Sequence, residues 1–229
     1  MSIKYLFLDL DDTILDFHKA ERIAIARTFE HFGLEPTEAV LARYHEINRI
    51  HWERLERGEE TRQQVLENRF ADLFAEMGVD ADPAAVAKGY ENNLGIGHYY
   101  LPGAQEAVQS LHRKYKLYLA SNGTAVVRDS RLESAGLNPY FERVFISQRV
   151  GFDKPSKEFF EAAFAAIPNF DPEEAMMVGD SLTSDILGGI HAGIRTCWVN
   201  ADHRPGNPAI KPDYEIASIT ELEALLETL

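Results

Sequence analysis

A single cysteine, Cys197, occurs in the 229 residues of this chain. No internal disulfide can form. Its place in the apolar run Arg195 to Val199 makes it a buried strand thiol rather than a metal ligand or a nucleophile. Positive charge is scarce too: 23 Lys and Arg against 37 Asp and Glu leave a net charge of −14. That balance argues against non-specific binding to a nucleic acid polymer and against an anionic membrane surface as partner. No apolar stretch has the length of a transmembrane helix. The run Ile3 to Leu8 is too short for a secretory signal and is closed by acids, so a cytoplasmic location is expected. Internal repeats and low-complexity segments are missing as well. The 45% hydrophobic content supports a real core, and the length allows one large domain or one domain with an insertion.

Within that ordinary composition one stretch stands out, Leu6-Phe7-Leu8-Asp9-Leu10-Asp11-Asp12-Thr13. Its apolar residues suit a buried parallel strand, which then ends in three acids. Open α/β folds place their chemistry at that edge of the sheet. Asp9 and Asp11 are two apart, so both side chains can reach the same edge. Carboxylates that close repel unless a cation or a proton lies between them, and a divalent metal with oxygen preference is the obvious occupant. Taken alone, Asp-x-Asp reads more simply as a turn or a helix cap.

Three later stretches shift that balance. Leu117 to Ala120 is a second apolar strand, ending in Ser121-Asn122-Gly123-Thr124. A hydroxyl, an amide and backbone N–H groups there suit an anion, although Ser-Asn-Gly is also an ordinary turn. Asp153-Lys154-Pro155-Ser156 precedes an amphipathic run from Glu158 to Ile167. Pro155 suits a helix start and Ser156 a cap, which would pin Lys154 at a loop–helix junction. A solvated loop lysine is the competing reading. Ala175-Met176-Met177-Val178-Gly179-Asp180 is a further apolar strand ending in an acid, with Asp185 five residues on. Gly179 permits close approach, and Asp180 is a candidate metal ligand. Asp185 either folds back toward the strand end or is a first-turn acid favoured by the helix dipole.

The chain outside these motifs alternates strands and helices. Strands are predicted at Lys4–Asp9, Lys116–Ser121, Arg143–Ser147, Ala175–Gly179, Arg195–Asn200 and Tyr214–Ile216. Helices are predicted at Gly103–Tyr115, Ala125–Ala135, Lys157–Ile167, Thr183–Ala192 and Glu221–Leu229. The expected fold class is therefore α/β, a doubly wound, mainly parallel, Rossmann-like sheet. Residues 17–100 lack strand signals and carry helical periodicity in four segments. Breaks fall at Gly33–Pro36, Arg57-Gly58 and Gly78 to Pro83, as expected for a small antiparallel bundle. The predicted organisation is a catalytic core of residues 1–16 and 101–229, with a helical cap at 17–100 that hangs over the acid cluster like a lid. Asn200 to Pro205 reads as surface or as active-site rim, with surface preferred.

Asp9-x-Asp11-x-Thr13, Ser121-Asn122, Lys154-Pro155 and Gly179-Asp180 with Asp185 stand in the order of the motifs of the haloacid dehalogenase superfamily, which the chain resembles. The resemblance implies a Mg²⁺-dependent phosphate monoester hydrolase. Asp9 would attack phosphorus and become an aspartyl phosphate. Asp11 would protonate the leaving oxygen and then take a proton from water, which calls for a raised or coupled pKa. Asp9, the backbone carbonyl of Asp11, and Asp180 would hold the metal, with Asp185 orienting water or Lys154 from behind. Thr13 and Ser121 would hydrogen-bond the phosphate or the nucleophile, Asn122 and Gly123 would add backbone donors, and Lys154 would offset negative charge. Asp12 keeps its reading as a loop or capping acid.

The leaving group is a separate question. Asn48 and Trp52 lie four apart on one helical face, so Trp52 offers stacking area and Asn48 a hydrogen-bonding edge for a base or sugar. Bundle core and a surface amide are the plain alternative. Asn48-x-x-x-Trp52, Arg69-Phe70, Ser121-Asn122-Gly123, Asp185 to Ile190 and Thr196-Cys197-Trp198 resemble the pyrimidine 5′-nucleotidase branch of the superfamily. That implies a small nucleotide such as UMP, dUMP or dTMP as partner, and a monomer or homodimer. Arg49-Ile50-His51 and Arg62-Gln63-Gln64 match no pattern of that branch. Rival readings are a sugar-phosphate phosphatase, a phosphoglucomutase, a phospho-accepting signalling domain and a silent metal-binding module. A haloacid dehalogenase has no use for Asp11.

Overall fold

The structure, a computed structural model, describes residues 2–229. The chain divides into two compact units, Met1–Phe17 with Tyr99–Leu229, and His18–His98.

The first unit is built on six parallel strands: β1 (Tyr5–Leu8), β2 (Lys116–Ser121), β3 (Arg143–Ile146), β4 (Ala175–Gly179), β5 (Arg195–Val199) and β6 (Tyr214–Ile216). Their spatial order is β3-β2-β1-β4-β5-β6, and every pairing is parallel. The order reverses between β1 and β4, the point at which an open α/β sheet leaves a crevice beyond its strand ends. All four β1 residues are buried, as expected for a strand covered on both faces. Alternation sorts them. Leu6 and Leu8 join Leu117, Leu119, Met176 and Val178 in one aliphatic core. Tyr5 and Phe7 join Tyr118, Phe145, Phe159 and Phe160 in an aromatic one. In register, Leu8 faces Leu119 and Val178, which brings Asp9 level with the ends of β2 and β4.

The helices are α1 (Phe17–His31), α2 (Glu38–Glu56), α3 (Arg62–Met77), α4 (Pro83–Ile96), α5 (Ala104–His112), α6 (Ala125–Ser134), α7 (Ser147–Val150), α8 (Lys157–Ala165), α9 (Leu187–Ala192) and α10 (Leu222–Leu226). From α5 onward all belong to the first unit. As the sequence reading had it, Pro155 stands just ahead of α8 and Ser156 caps the helix by accepting from the Phe159 N–H. Elsewhere the structure departs from that reading. The predicted helix from Thr183 opens instead as a π-helical turn, Leu182–Ile186, before α9. The terminal helix is shorter than expected, with a 3-10 turn at Ile219–Glu221 leading into α10.

Nearly all of α1 and the whole of α2 to α4 make up the second unit. There α2 packs on α3 and α3 on α4. Buried Phe29, Tyr44, Phe70, Phe74 and Tyr90 form its aromatic centre. Each helix start has a local cause. Thr37 and Asp82 cap α2 and α4, and Pro83 sits at the first position of α4, where its missing N–H costs nothing. Thr61 and Gln64 form a reciprocal capping box on α3, which gives Gln64 the role its sequence context left open. No helix among the described residues is long and apolar enough to cross a membrane.

Candidate active site

Asp9 leaves β1 at the centre of the sheet, Ser121 ends β2, and Asp180 follows β4. Lys154, from the loop ahead of α8, completes the cluster. Its side chain is only 1% exposed, and Nζ lies 2.7 Å from Asp9 Oδ1, 2.6 Å from Asp185 Oδ1 and 2.5 Å from the Ala120 carbonyl. All three ammonium protons are therefore committed within the protein. The solvated-loop reading of Lys154 is excluded. A clamp from Asn122 places it: the Asn122 carboxamide accepts from the Lys154 N–H at 2.9 Å and donates to the Lys154 carbonyl at 2.9 Å.

Asp185 folds back, as one of its two readings had it. One carboxylate oxygen takes the Lys154 bond and the other accepts from the Ser181 N–H at 3.0 Å. Gly179 makes this possible, because a Cβ there would fall 2.2 Å from Asp185 Oδ2. The π-helical turn and the small residue belong to one device that brings Asp185 behind the strand end.

Carboxylate oxygens of Asp9, Asp180 and Asp185 lie within 4.8 Å of one another. One lysine cannot neutralise three such acids. Burial, and then the charges of Asp185 and Asp11, push the Asp9 carboxyl up to about 7 despite Lys154. Burial and the neighbouring charges of Asp185, Asp9 and Asp12 likewise raise Asp180 well above the usual aspartate value. Burial alone would lower Lys154, but Asp185 and Asp9 together raise it above the ordinary lysine value, so it stays charged. An all-oxygen donor set with excess negative charge fits a hard divalent cation. Asp180 also has a side chain one quarter exposed and reachable from solvent.

Asp11 differs from the expectation of a raised pKa. Two arginines of α6 hold it: Arg128 lies 2.6 Å from Oδ2, and fully buried Arg131 pairs with Oδ1. Burial would raise the Asp11 carboxyl, but the Arg128 and Arg131 charges outweigh it and hold the group below the usual aspartate value. Sequence reasoning missed both residues. Their signal was two arginines three apart on a helix that starts directly after Ser121–Thr124, spacing that puts both on one face.

The remaining predicted residues fall out unevenly. Thr13 is fully buried, and its hydroxyl has no hydrogen-bond partner among the described residues. Ser121 is buried at the end of β2. The Gly123 N–H already donates to Ser147 Oγ at 3.0 Å, so it is not a spare phosphate donor here. Asp12 adopts a left-handed backbone (φ 53°), and its side chain accepts from the N–H of Phe17, the first residue of α1. Asn200 to Pro205 is more than surface. Buried Asn200 holds the Arg204 backbone, and the Arg204 guanidinium donates to the Asp180 carbonyl at 2.8 Å beside the Trp198 indole N–H. Cys197 is buried and its thiol is pushed up to about 12, which leaves it inert.

In the helical unit Asn48 is not the free polar edge the sequence suggested. It is 2% exposed, donates to Glu21 at 2.7 Å and accepts from Arg69 at 2.8 Å. A buried acid and a buried base thus share it as a bridge, which is why its amide cannot face outward. Trp52 is half-buried.

Comparison with known proteins agrees with this geometry. Residues 3–193 match the haloacid dehalogenase-like hydrolase family. The chain belongs to that family. YfnB of Bacillus subtilis, described as a HAD-hydrolase, is 41% identical over 96% of this chain and 94% of its own. Its crystal structure, bound to magnesium, superposes with a TM-score of 0.95 at 40% identity and covers 99% of both chains. The pyrimidine 5′-nucleotidase PynA of Streptococcus pneumoniae is 37% identical over 97% of this chain and 94% of its own. The pyrimidine 5′-nucleotidase YjjG of Escherichia coli is 32% identical over 99% of each. This family member is thus a hydrolase of the phosphatase type, related over nearly its whole length to pyrimidine 5′-nucleotidases.

Proposed function

We propose that the chain hydrolyses pyrimidine nucleoside 5′-monophosphates through an aspartyl-phosphate on Asp9, with Mg²⁺ as cofactor. The observation that carries the reading is the pairing of Asp9 with buried Lys154 at the end of the central strand, while Asp11 stands two residues on. A hydrolase that removes phosphate needs both acids, one to attack and one to move protons. Full-length similarity to two pyrimidine 5′-nucleotidases supports the substrate class.

Asp9, Asp180 and the Asp11 carbonyl are the residues that would hold the metal. When bound, it neutralises the carboxylate cluster and the phosphoryl oxygens. Lys154 and Asp185 keep the Asp9 carboxylate oriented. Asp9 Oδ attacks phosphorus in line with the leaving 5′-oxygen. Asp11, ionised at rest between its two arginines, takes up a proton from solvent when substrate binds, delivers it to the leaving oxygen, and later removes one from the water that cleaves the acyl phosphate. Buried Thr13, whose hydroxyl has no hydrogen-bond partner among the described residues, supplies that hydroxyl for the phosphoryl group or for Asp9.

The test is phosphate release from a panel of nucleoside monophosphates, hexose phosphates and 4-nitrophenyl phosphate, with Mg²⁺ and with chelator. Highest kcat/KM on UMP, dUMP or dTMP, and loss of turnover in chelator, are expected. A hexose phosphate ranked above every pyrimidine nucleotide would overturn the substrate class. Hydrolysis of none of them would overturn the enzyme assignment.

A further inference from the structure

The two arginines on Asp11 pose a problem that the family chemistry leaves open. Both carboxylate oxygens are occupied, Oδ2 by Arg128 and Oδ1 by Arg131. A leaving oxygen must compete with two guanidinium groups for this carboxyl unless one of the pairs opens. The two arginines are not equivalent. Arg131 is completely buried and lies over the Phe17 ring, with its guanidinium carbon 5.9 Å from the centroid. The Arg128 side chain is one tenth exposed. Its terminal nitrogen also donates to the Asn122 carbonyl at 2.7 Å, and its Nε, though buried, has no hydrogen-bond partner among the described residues. The guanidinium lies against Gly123, where a Cβ would stand 2.8 Å from Nε. Gly123 has a φ of +148°, so the backbone, too, favours glycine at this seat.

That seat adjoins Ser121 and Asn122, the residues at the strand end where the phosphoryl group is expected. Charge supply there is short. Lys154 has spent all three protons on Asp9, Asp185 and the Ala120 carbonyl. A phosphate monoester brings two negative charges and three oxygens, and a guanidinium fork matches two of them at once. A single carboxylate that already has a second arginine is the weaker competitor for Arg128.

We propose that Arg128 is a phosphate-binding residue. On arrival of a phosphate monoester it transfers its guanidinium from Asp11 to the phosphoryl oxygens, and the freed Oδ2 of Asp11 turns to the leaving oxygen while Arg131 keeps the other side anchored. The inference rests on the phosphohydrolase reading and adds to it a substrate-driven release of Asp11. The exchange makes no covalent bond. It replaces one charge-assisted pair by another and leaves the Nε–H with an acceptor.

The test uses the whole protein with Mg²⁺, and inorganic phosphate and orthovanadate as probes. Arg128→Gln should weaken phosphate, measured by calorimetry and as an inhibitor of 4-nitrophenyl phosphate hydrolysis, by about 10- to 100-fold, the loss of one charge-assisted contact. Arg128→Lys keeps the charge but not the fork and should fall between. A crystal structure of the wild-type protein with vanadate should show the Arg128 guanidinium on vanadate oxygens and more than 4 Å from Asp11. This arm does not depend on any variant folding. Phosphate affinity unchanged in folded Arg128→Gln, or a vanadate complex that retains the Arg128–Asp11 pair, overturns the inference while an active wild type leaves the phosphohydrolase reading standing. A wild type that neither turns over a phosphate ester nor binds phosphate overturns both.

Discussion

Asp9→Asn separates the catalytic value of the buried acid from its cost. The Asp9 carboxyl rises from 3.8 in an ordinary aspartate to about 7 in the folded chain, with burial as the first cause. A carboxyl with a higher pKa folded than unfolded favours folding when protonated. Its contribution is thus fully present below about pH 4 and lost as the pH climbs through about 7. Three units at about 1.4 kcal/mol each give an upper bound of about 4 kcal/mol, and about two of those units lie between pH 5 and pH 7. Asn keeps the shape and carries no charge at any pH. In chelator, Asp9→Asn should therefore exceed the wild type in stability by a margin that grows by about 3 kcal/mol from pH 5 to pH 8. For a chain of this length that is about 6–12 °C in Tm. Excess Mg²⁺ should close the gap, because it stabilises the wild type by about 2.7 kcal/mol at a hundred times its Kd and the variant less. Denaturation by circular dichroism at both pH values, with and without Mg²⁺, reads this directly. Turnover should be lost under all four conditions. An Asp9→Asn protein equal to or less stable than the wild type at pH 8 in chelator would refute the argument that the metal-free cluster is electrostatically strained.

Other substitutions probe neighbouring parts of the molecule. Asp180→Ala should raise the Mg²⁺ Kd more than Asp185→Ala does, whereas Asp185→Ala should cost more stability, about 3 kcal/mol or above, because it strips one partner from a lysine that is 1% exposed. Calorimetric Mg²⁺ titration together with urea denaturation ranks the two, and the reverse order would show that their roles are exchanged. Asn48→Ala should destabilise by about 2–4 kcal/mol, since it leaves Glu21 and Arg69 buried without their bridge, and should do so whatever substrate is assayed. A change of nucleotide preference at unaltered Tm would restore Asn48 as a base reader. Trp52→Ala should lower kcat/KM for UMP by about one to two powers of ten, the loss of one base–aromatic stack, and leave 4-nitrophenyl phosphate nearly unaffected. Equal losses on both would make Trp52 a packing residue. Phe7→Ala, at a fully buried site among aromatic rings, should cost about 3–5 kcal/mol by denaturant titration.

Strand identity came from the sequence alone because β1, β2 and β4 are uninterrupted apolar runs, and only a strand buried on both faces tolerates such a run. Acids and hydroxyls at their ends were legible for the same reason: a polar residue that closes an apolar run has nowhere to go but the edge of the sheet. The helical segment was legible through its period and its breaks at Gly33, Gly58 and Gly78, each with positive φ in the structure. What the sequence could not hold was partnership across the chain. Lys154 meets Asp9 over 145 positions, and Arg131 meets Asp11 over 120, distances that no spacing rule spans. Asn48 looked like a surface amide because local pattern sees one helix at a time. Its burial is set by Glu21 on α1 and Arg69 on α3, which the packing of three helices brings to it. The Asp11 charge state shows the limit most plainly. Its chemistry calls for a proton, and only the tertiary placement of two α6 arginines reveals that the resting carboxylate is held without one.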